Sequence, residues 1–170
     1  MRQMIDSGTD ERFIRMQAWL QNELGMTASR IEAAAADASI RRYWRVSFDG
    51  GSRIVMDAPP DGFNYSQFFE QHARLQAAGA PVPQLFASDA DQGFTLLEDL
   101  GSTTLAALLD ENSAKGWYLQ AIDLLVSMQT QVDPTGLPPY DAAFFRRELE
   151  ICREWYFGQQ LGVELQDEAQ

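Results

Sequence analysis

A chain of 170 residues, 45% of them apolar and 22% charged, can fill one packed core, or one lobe and the start of a second, and is no disordered, collagen-like or low-complexity polymer. Thirteen basic against 25 acidic side chains give a formal charge of −12, which disfavours a non-specific grip on nucleic acid or on an anionic membrane. The single cysteine, Cys152, and the single histidine, His72, exclude an internal disulfide and a Cys/His zinc site. Residues Met1 to Asp10 have no apolar signal core, and no run approaches the roughly 18 apolar residues of a membrane span, so the expectation is a soluble protein of the reducing cytoplasm.

From Thr9 as N-cap, Phe13, Met16, Leu20 and Leu24 recur at helical spacing until Gly25, which predicts one amphipathic helix within residues 1–28. Three short strands follow, at Arg30 to Ala34, Ile40 to Phe48 and Ser52 to Asp57. In the second, Ile40, Trp44, Val46 and Phe48 share one face and Arg41, Tyr43, Arg45 and Ser47 the other, and Asp49-Gly50-Gly51-Ser52 supplies a tight turn to an antiparallel third strand. Pro59 and Pro60 end that strand, and Asn64 to Ala78 has helical composition up to Gly79. Pro81-Val82-Pro83 forces an extended segment before another strand pair, Leu85 to Ser88 and Phe94 to Glu98. Beyond Gly101 the pattern turns helical: Thr103 to Leu109, Ser113 to Gln131 and Asp141 to Phe157. The predicted class is α+β. A β-rich lobe spans residues 29–98, a linker 99–101, and the start of a helical lobe 102–170, which reads as truncated because Trp155, Tyr156 and Phe157 crowd a helix end with little sequence left to cover them.

Arg41, Arg42, Arg45 and Arg53 cluster around a single acid, Asp49, and form either a field able to hold a polyphosphate or a solvated strand face. The small residues Ala36-Asp37-Ala38-Ser39 form either a phosphate-approaching lid turn or an ordinary hairpin. Leu96-Leu97-Glu98-Asp99-Leu100-Gly101 is either a plain loop between lobes or a linker whose backbone reads an adenine edge. Glu148, Glu150 and Glu154 scatter around a helix with Arg146, Arg147 and Arg153 and read as a solvated face, and no nucleophile motif accompanies His72.

The order of these parts carries a resemblance. The Asp37-Ala38-Ser39-Ile40-Arg41-Arg42-Tyr43 loop and strand, Val55-Met56-Asp57-Ala58-Pro59-Pro60, Gly79-Ala80-Pro81-Val82-Pro83 and Leu97-Glu98-Asp99-Leu100-Gly101 resemble the first half of the aminoglycoside phosphotransferase family of kinase-fold enzymes. Within it they are similar to the bacterial cell-wall kinases of N-acetylmuramate and N-acetylglucosamine, from about Arg30 to about Gly162. The resemblance implies a protein-kinase-like N-terminal lobe, ATP and Mg2+ as cofactors, and a sugar hydroxyl as acceptor. It implies nucleotide contacts from Asp37, Ala38 and Ser39 of the lid, Arg42 and Arg45 of the second strand, Val55 of the third, and Glu98, Asp99 and Leu100 of the linker. A kinase of the same fold for an aminoglycoside, choline or homoserine, and a non-catalytic kinase-like binding module, are the alternatives.

Two departures stand out. The family's third-strand lysine is absent, since Met56 and Asp57 occupy its neighbourhood and the only lysine is Lys115; the helix position that would pair with it falls near Phe68. Loss of both partners leaves no unpaired charge. The His-x-Asp catalytic loop and the metal-binding acids that follow it are also missing from these residues, so the chain by itself is expected to be catalytically inactive and to hold no metal.

Overall fold

The computed structural model describes residues 10–35 and 40–163. Helix α1, Glu11–Asn22, is capped by Asp10, whose carboxylate accepts from the amides of Arg12 and Phe13. The expected cap, Thr9, lies outside the described residues. Phe13, Met16, Trp19 and Leu20 form the buried stripe that the i, i+3, i+7 spacing demands.

Strands β1 (Arg30–Ala35), β2 (Arg42–Phe48), β3 (Gly51–Asp57), β4 (Leu85–Asp89) and β5 (Phe94–Glu98) form one antiparallel sheet in the order β1-β2-β3-β5-β4. The β2–β3 hairpin turns through Gly50 and Gly51, at φ 112° and 139°, values that favour glycine. β2 begins two residues later than the sequence suggests. Ile40 precedes it, is exposed, and lies against Gly62 instead of sharing the face of Trp44.

The pleat divides the apolar residues between two cores. On one face Trp44, Val46, Val55, Phe94 and Leu96 pack under α1. On the other, Met56 and Leu97 pack with Ala58 and Tyr65, and Tyr43, Ile54, Phe63, Phe68 and Phe69 close around them. Tyr65 opens α2 (Tyr65–Ala77), which lies between β3 and β4 in the chain and is capped by Asn64 accepting from the Gln67 amide. Its hydroxyl donates to the Ala58 carbonyl at 2.9 Å, and burial pushes its pKa up to about 12. Each fully buried large side chain of these cores contributes roughly 1.5–3 kcal/mol, so α1 and α2 are each fixed to the sheet by several such groups.

After β5 come α3 (Leu105–Leu108) and α4 (Ala114–Gln131). The helix expected over Thr103 to Leu109 contracts to a single turn, because Leu109 is extended and Asp110 folds back to accept from the amides of Asn112 and Ser113. No residue of α4 is buried, although Trp117, Ile122, Leu125 and Val126 are apolar.

Contacts divide the chain into two units, one ending at Asp133 and the other starting at Pro134. The second contains α5 (Ala142–Ile151), capped by Asp141, and then wide π-helical turns over Cys152–Gln160 that replace the α-helix expected to continue to Phe157. Trp155 and Tyr156 are exposed. No helix among the described residues is long and apolar enough to cross a membrane.

Candidate functional site

Period-two alternation places Tyr43 and Arg45 of β2, Ile54 and Met56 of β3, and Leu97 of β5 on the α2 face of the sheet. Just beyond β5, Asp99 meets Arg45 in a bidentate pair, Nε to Oδ2 at 2.7 Å and a terminal nitrogen to Oδ1 at 3.0 Å. The Ser52 hydroxyl donates to the same carboxylate at 2.6 Å and the Gly101 amide at 2.9 Å. Arg45 above all, with Ser52 and the Gly101 amide, holds the Asp99 carboxyl well below the usual carboxylate range against the opposing effect of burial. The Asp99 hydrogen bond in turn raises the Arg45 guanidinium.

The neighbour Glu98 is fixed differently. Its amide donates to the Gln84 carbonyl at 2.8 Å, and its side chain accepts from the Gln84 amide at 3.1 Å. Between these two anchored residues and Gly101, at φ 87°, Leu100 projects outward, 69% exposed. Its amide makes no hydrogen bond among the described residues. A pinned linker that presents the Leu100 backbone donor can recognise the edge of a flat heteroaromatic ring.

The opposite face holds a different charge cluster. Asp57, fully buried, accepts from Arg12 Nε at 2.7 Å and Arg42 Nε at 2.9 Å, and Arg42 also binds Asp10. Arg12 donates further to the Gln92 carbonyl at 3.0 Å. Burial alone would lower the Arg42 guanidinium, but Asp10 and Asp57 together outweigh it and hold it above its ordinary value. These four side chains fasten the first turn of α1 to β2, β3 and the β4–β5 turn. Gly93 is required in that turn: at φ 84°, a Cβ there would lie 2.3 Å from the Ala58 carbonyl oxygen and 2.8 Å from Arg12.

Of the residues expected at a nucleotide site, the structure thus brings Arg45, Glu98, Asp99 and Leu100 together. Arg42 and Val55 lie on the α1 face, away from them. Asp37, Ala38 and Ser39 lie outside the described residues. The separation of Arg42 from Arg45 follows from their odd spacing, which in any strand puts two side chains on opposite faces. Sequence reasoning missed their pairing with Asp57 and Asp99, because one pair joins neighbouring strands and the other joins β2 to the linker. Met56 is buried in the apolar cluster under α2, and Phe68 packs against that cluster. Beside that cluster Phe63, Asn64, Gln67, Phe68 and Gln71 line an open groove of about 320 Å³.

No family model matches the chain. It is similar to three curated proteins, each named N-acetylmuramate/N-acetylglucosamine kinase. With that of Pseudomonas putida it is 36% identical over 168 residues, 93% of this chain and 50% of the relative. With that of Pseudomonas aeruginosa it is 38% identical over 173 residues, 94% and 50% respectively. With that of Neisseria meningitidis serogroup B it is 38% identical over 160 residues, 91% and 47%. The chain spans about half the length of the curated relatives it matches.

Proposed function

We propose that this chain is the nucleotide-binding portion of an ATP-dependent kinase that transfers the γ-phosphate to a sugar hydroxyl, the anomeric hydroxyl of N-acetylmuramate or N-acetylglucosamine. In this reading residues 29–98 are a protein-kinase-like N-terminal lobe, 99–101 the linker between lobes, and 102–170 the start of a helical C-terminal lobe. The observation that carries it is the linker itself: a five-stranded antiparallel sheet with α2 inserted after β3 delivers Glu98, Asp99 and Leu100 in a pinned, outward-facing stretch directly after the last strand. Similarity to three proteins named as kinases of these two amino sugars supports the acceptor.

In this role the Leu100 amide and the Glu98 carbonyl face the adenine edge. Asp99 does not touch the nucleotide; it fixes the linker through Arg45 and Ser52. Magnesium would neutralise phosphate charge in such an enzyme. Among the described residues no three His, Cys, Asp or Glu side chains gather, and no step is routed through the metal.

The test is a transfer assay on the kinase expressed from its complete reading frame, with ATP, magnesium and a panel of both amino sugars, an aminoglycoside, choline and homoserine, read by phosphorus NMR. The expected product is the amino-sugar 1-phosphate. Phosphorylation of another member of the panel, with neither amino sugar modified, would overturn the acceptor assignment.

A further inference from the structure

The Asp99 side chain is only 6% exposed, and both of its oxygens are saturated from within the protein. Oδ2 accepts from Arg45 Nε at 2.7 Å and from the Ser52 hydroxyl at 2.6 Å. Oδ1 accepts from a terminal Arg45 nitrogen at 3.0 Å and from the Gly101 amide at 2.9 Å. The two parallel bonds of a guanidinium fork fix a carboxylate in orientation as well as in place. The donors come from two neighbouring strands, Arg45 from β2 and Ser52 from β3, so the carboxylate is held to the β2–β3 hairpin as a unit.

What that anchoring controls is the residue next to it. The bond from the Gly101 amide back to Asp99 spans Leu100 as an Asx turn, which sets the backbone of the residue it encloses. On the other side Glu98 is tied to Gln84 through its amide and its carboxylate. Between these ties stands the Leu100 amide, which makes no hydrogen bond among the described residues. The bonds that Arg45 and Ser52 make to the linker go to the Asp99 side chain, so their effect on this amide passes through that carboxylate. A donor already fixed in its bound position costs less ordering when a ligand arrives.

We propose that Arg45 and Ser52 are positioning residues for base recognition: through Asp99 they hold the Leu100 amide against the edge of the base, and so set both the affinity for adenine and its preference over guanine. The inference rests on the nucleotide-binding reading above. Adenine presents a ring-nitrogen acceptor on the edge where guanine presents a donor, so a loosened amide discriminates less between them.

The test uses the enzyme expressed from the complete reading frame, as wild type, Ser52→Ala, Arg45→Lys, Asp99→Asn and the Ser52→Ala/Asp99→Asn double variant. Thermal melts first identify the variants that are folded at the assay temperature, and calorimetry then measures ATP, GTP and inorganic tripolyphosphate on those. Ser52→Ala and Arg45→Lys each weaken ATP binding about threefold or more, the worth of one hydrogen bond, and leave tripolyphosphate binding unchanged. Both reduce the preference for ATP over GTP, and Ser52→Ala adds no further loss once Asp99 is Asn. Ser52→Ala removes a single oxygen and decides the matter even if the charge variants do not fold. Unchanged ATP affinity and an unchanged ATP-to-GTP ratio in Ser52→Ala overturn the positioning role and leave the nucleotide-binding reading standing. A loss shared equally by ATP, GTP and tripolyphosphate also overturns it, because that is the signature of a general loosening of the fold. Wild-type enzyme that does not bind ATP overturns both claims together.

Discussion

Two carboxylates, Asp57 and Asp99, show how one residue type does different work on the two faces of a sheet. Asp57 is fully buried and shared by Arg12 and Arg42, so removing it takes a buried charge partner from two guanidinium groups at once. Asp57→Ala is expected to destabilise the fold by about 3 kcal/mol, at the low end for a broken buried pair because both arginines remain partly solvated. Denaturant unfolding measures it, and a shift of the midpoint near zero would show that α1 is held by its apolar stripe alone. Asp99 and Asp10 instead report on pH. Arginine holds both below their ordinary range in the folded protein. A depressed folded pKa contributes stability that is present above the unfolded value, about 4, and is lost as pH falls towards the folded value. Melting temperature should therefore stay level from neutrality to about pH 5 and then fall. Asp99→Asn should start lower at neutral pH and fall less steeply in acid, and equal acid slopes in the two proteins would show that Asp99 carries no such linkage.

At the scale of elements, most of the sheet can be read from the chain because its signals are local. The alternation of Trp44 and Val46 against Tyr43 and Arg45, the Gly50-Gly51 turn and the helix from Asn64 to Gly79 each follow from rules acting within a few residues. What escaped was non-local. The Arg45–Asp99 pair joins β2 to the linker across 54 positions, and Arg42–Asp57 joins neighbouring strands. No periodicity encodes such contacts. The helix expected from Thr103 lost to local side-chain bonding at Asp110, a competition that composition alone does not weigh. The linker gives the element-scale prediction. On the proposed reading Leu100→Pro removes the Leu100 backbone donor and should weaken ATP binding by about 1 kcal/mol or more. Glu98→Gln keeps an oxygen to accept from the Gln84 amide and should change binding little. Titration of both variants decides, and equal losses would move the recognition from backbone to side chain.

For the whole molecule the question is whether these 170 residues can carry out phosphoryl transfer on their own. Such transfer depends on a base that orients the acceptor hydroxyl and on acids that hold magnesium across the phosphates. Asp57 and Asp99 sit in or beside the sheet, but one is enclosed by Arg12 and Arg42 and the other is saturated by Arg45, Ser52 and the Gly101 amide. Using either as a base or metal ligand would mean breaking the ion pairs that hold α1 or the linker in place. Asp123 lies within α4, the helix that has no buried residue, and Asp37 lies outside the described residues. On the proposed reading these 170 residues alone are expected to transfer no phosphate from ATP to N-acetylmuramate, N-acetylglucosamine or an aminoglycoside above the uncatalysed rate, and the longer enzyme of which they would be the nucleotide-binding portion to do so under the same conditions. Radiolabelled ATP and chromatography of the sugar fraction make the comparison. Labelled sugar formed by the isolated chain, and abolished by Asp123→Asn or Asp37→Asn, would show that a catalytic aspartate lies within these residues after all.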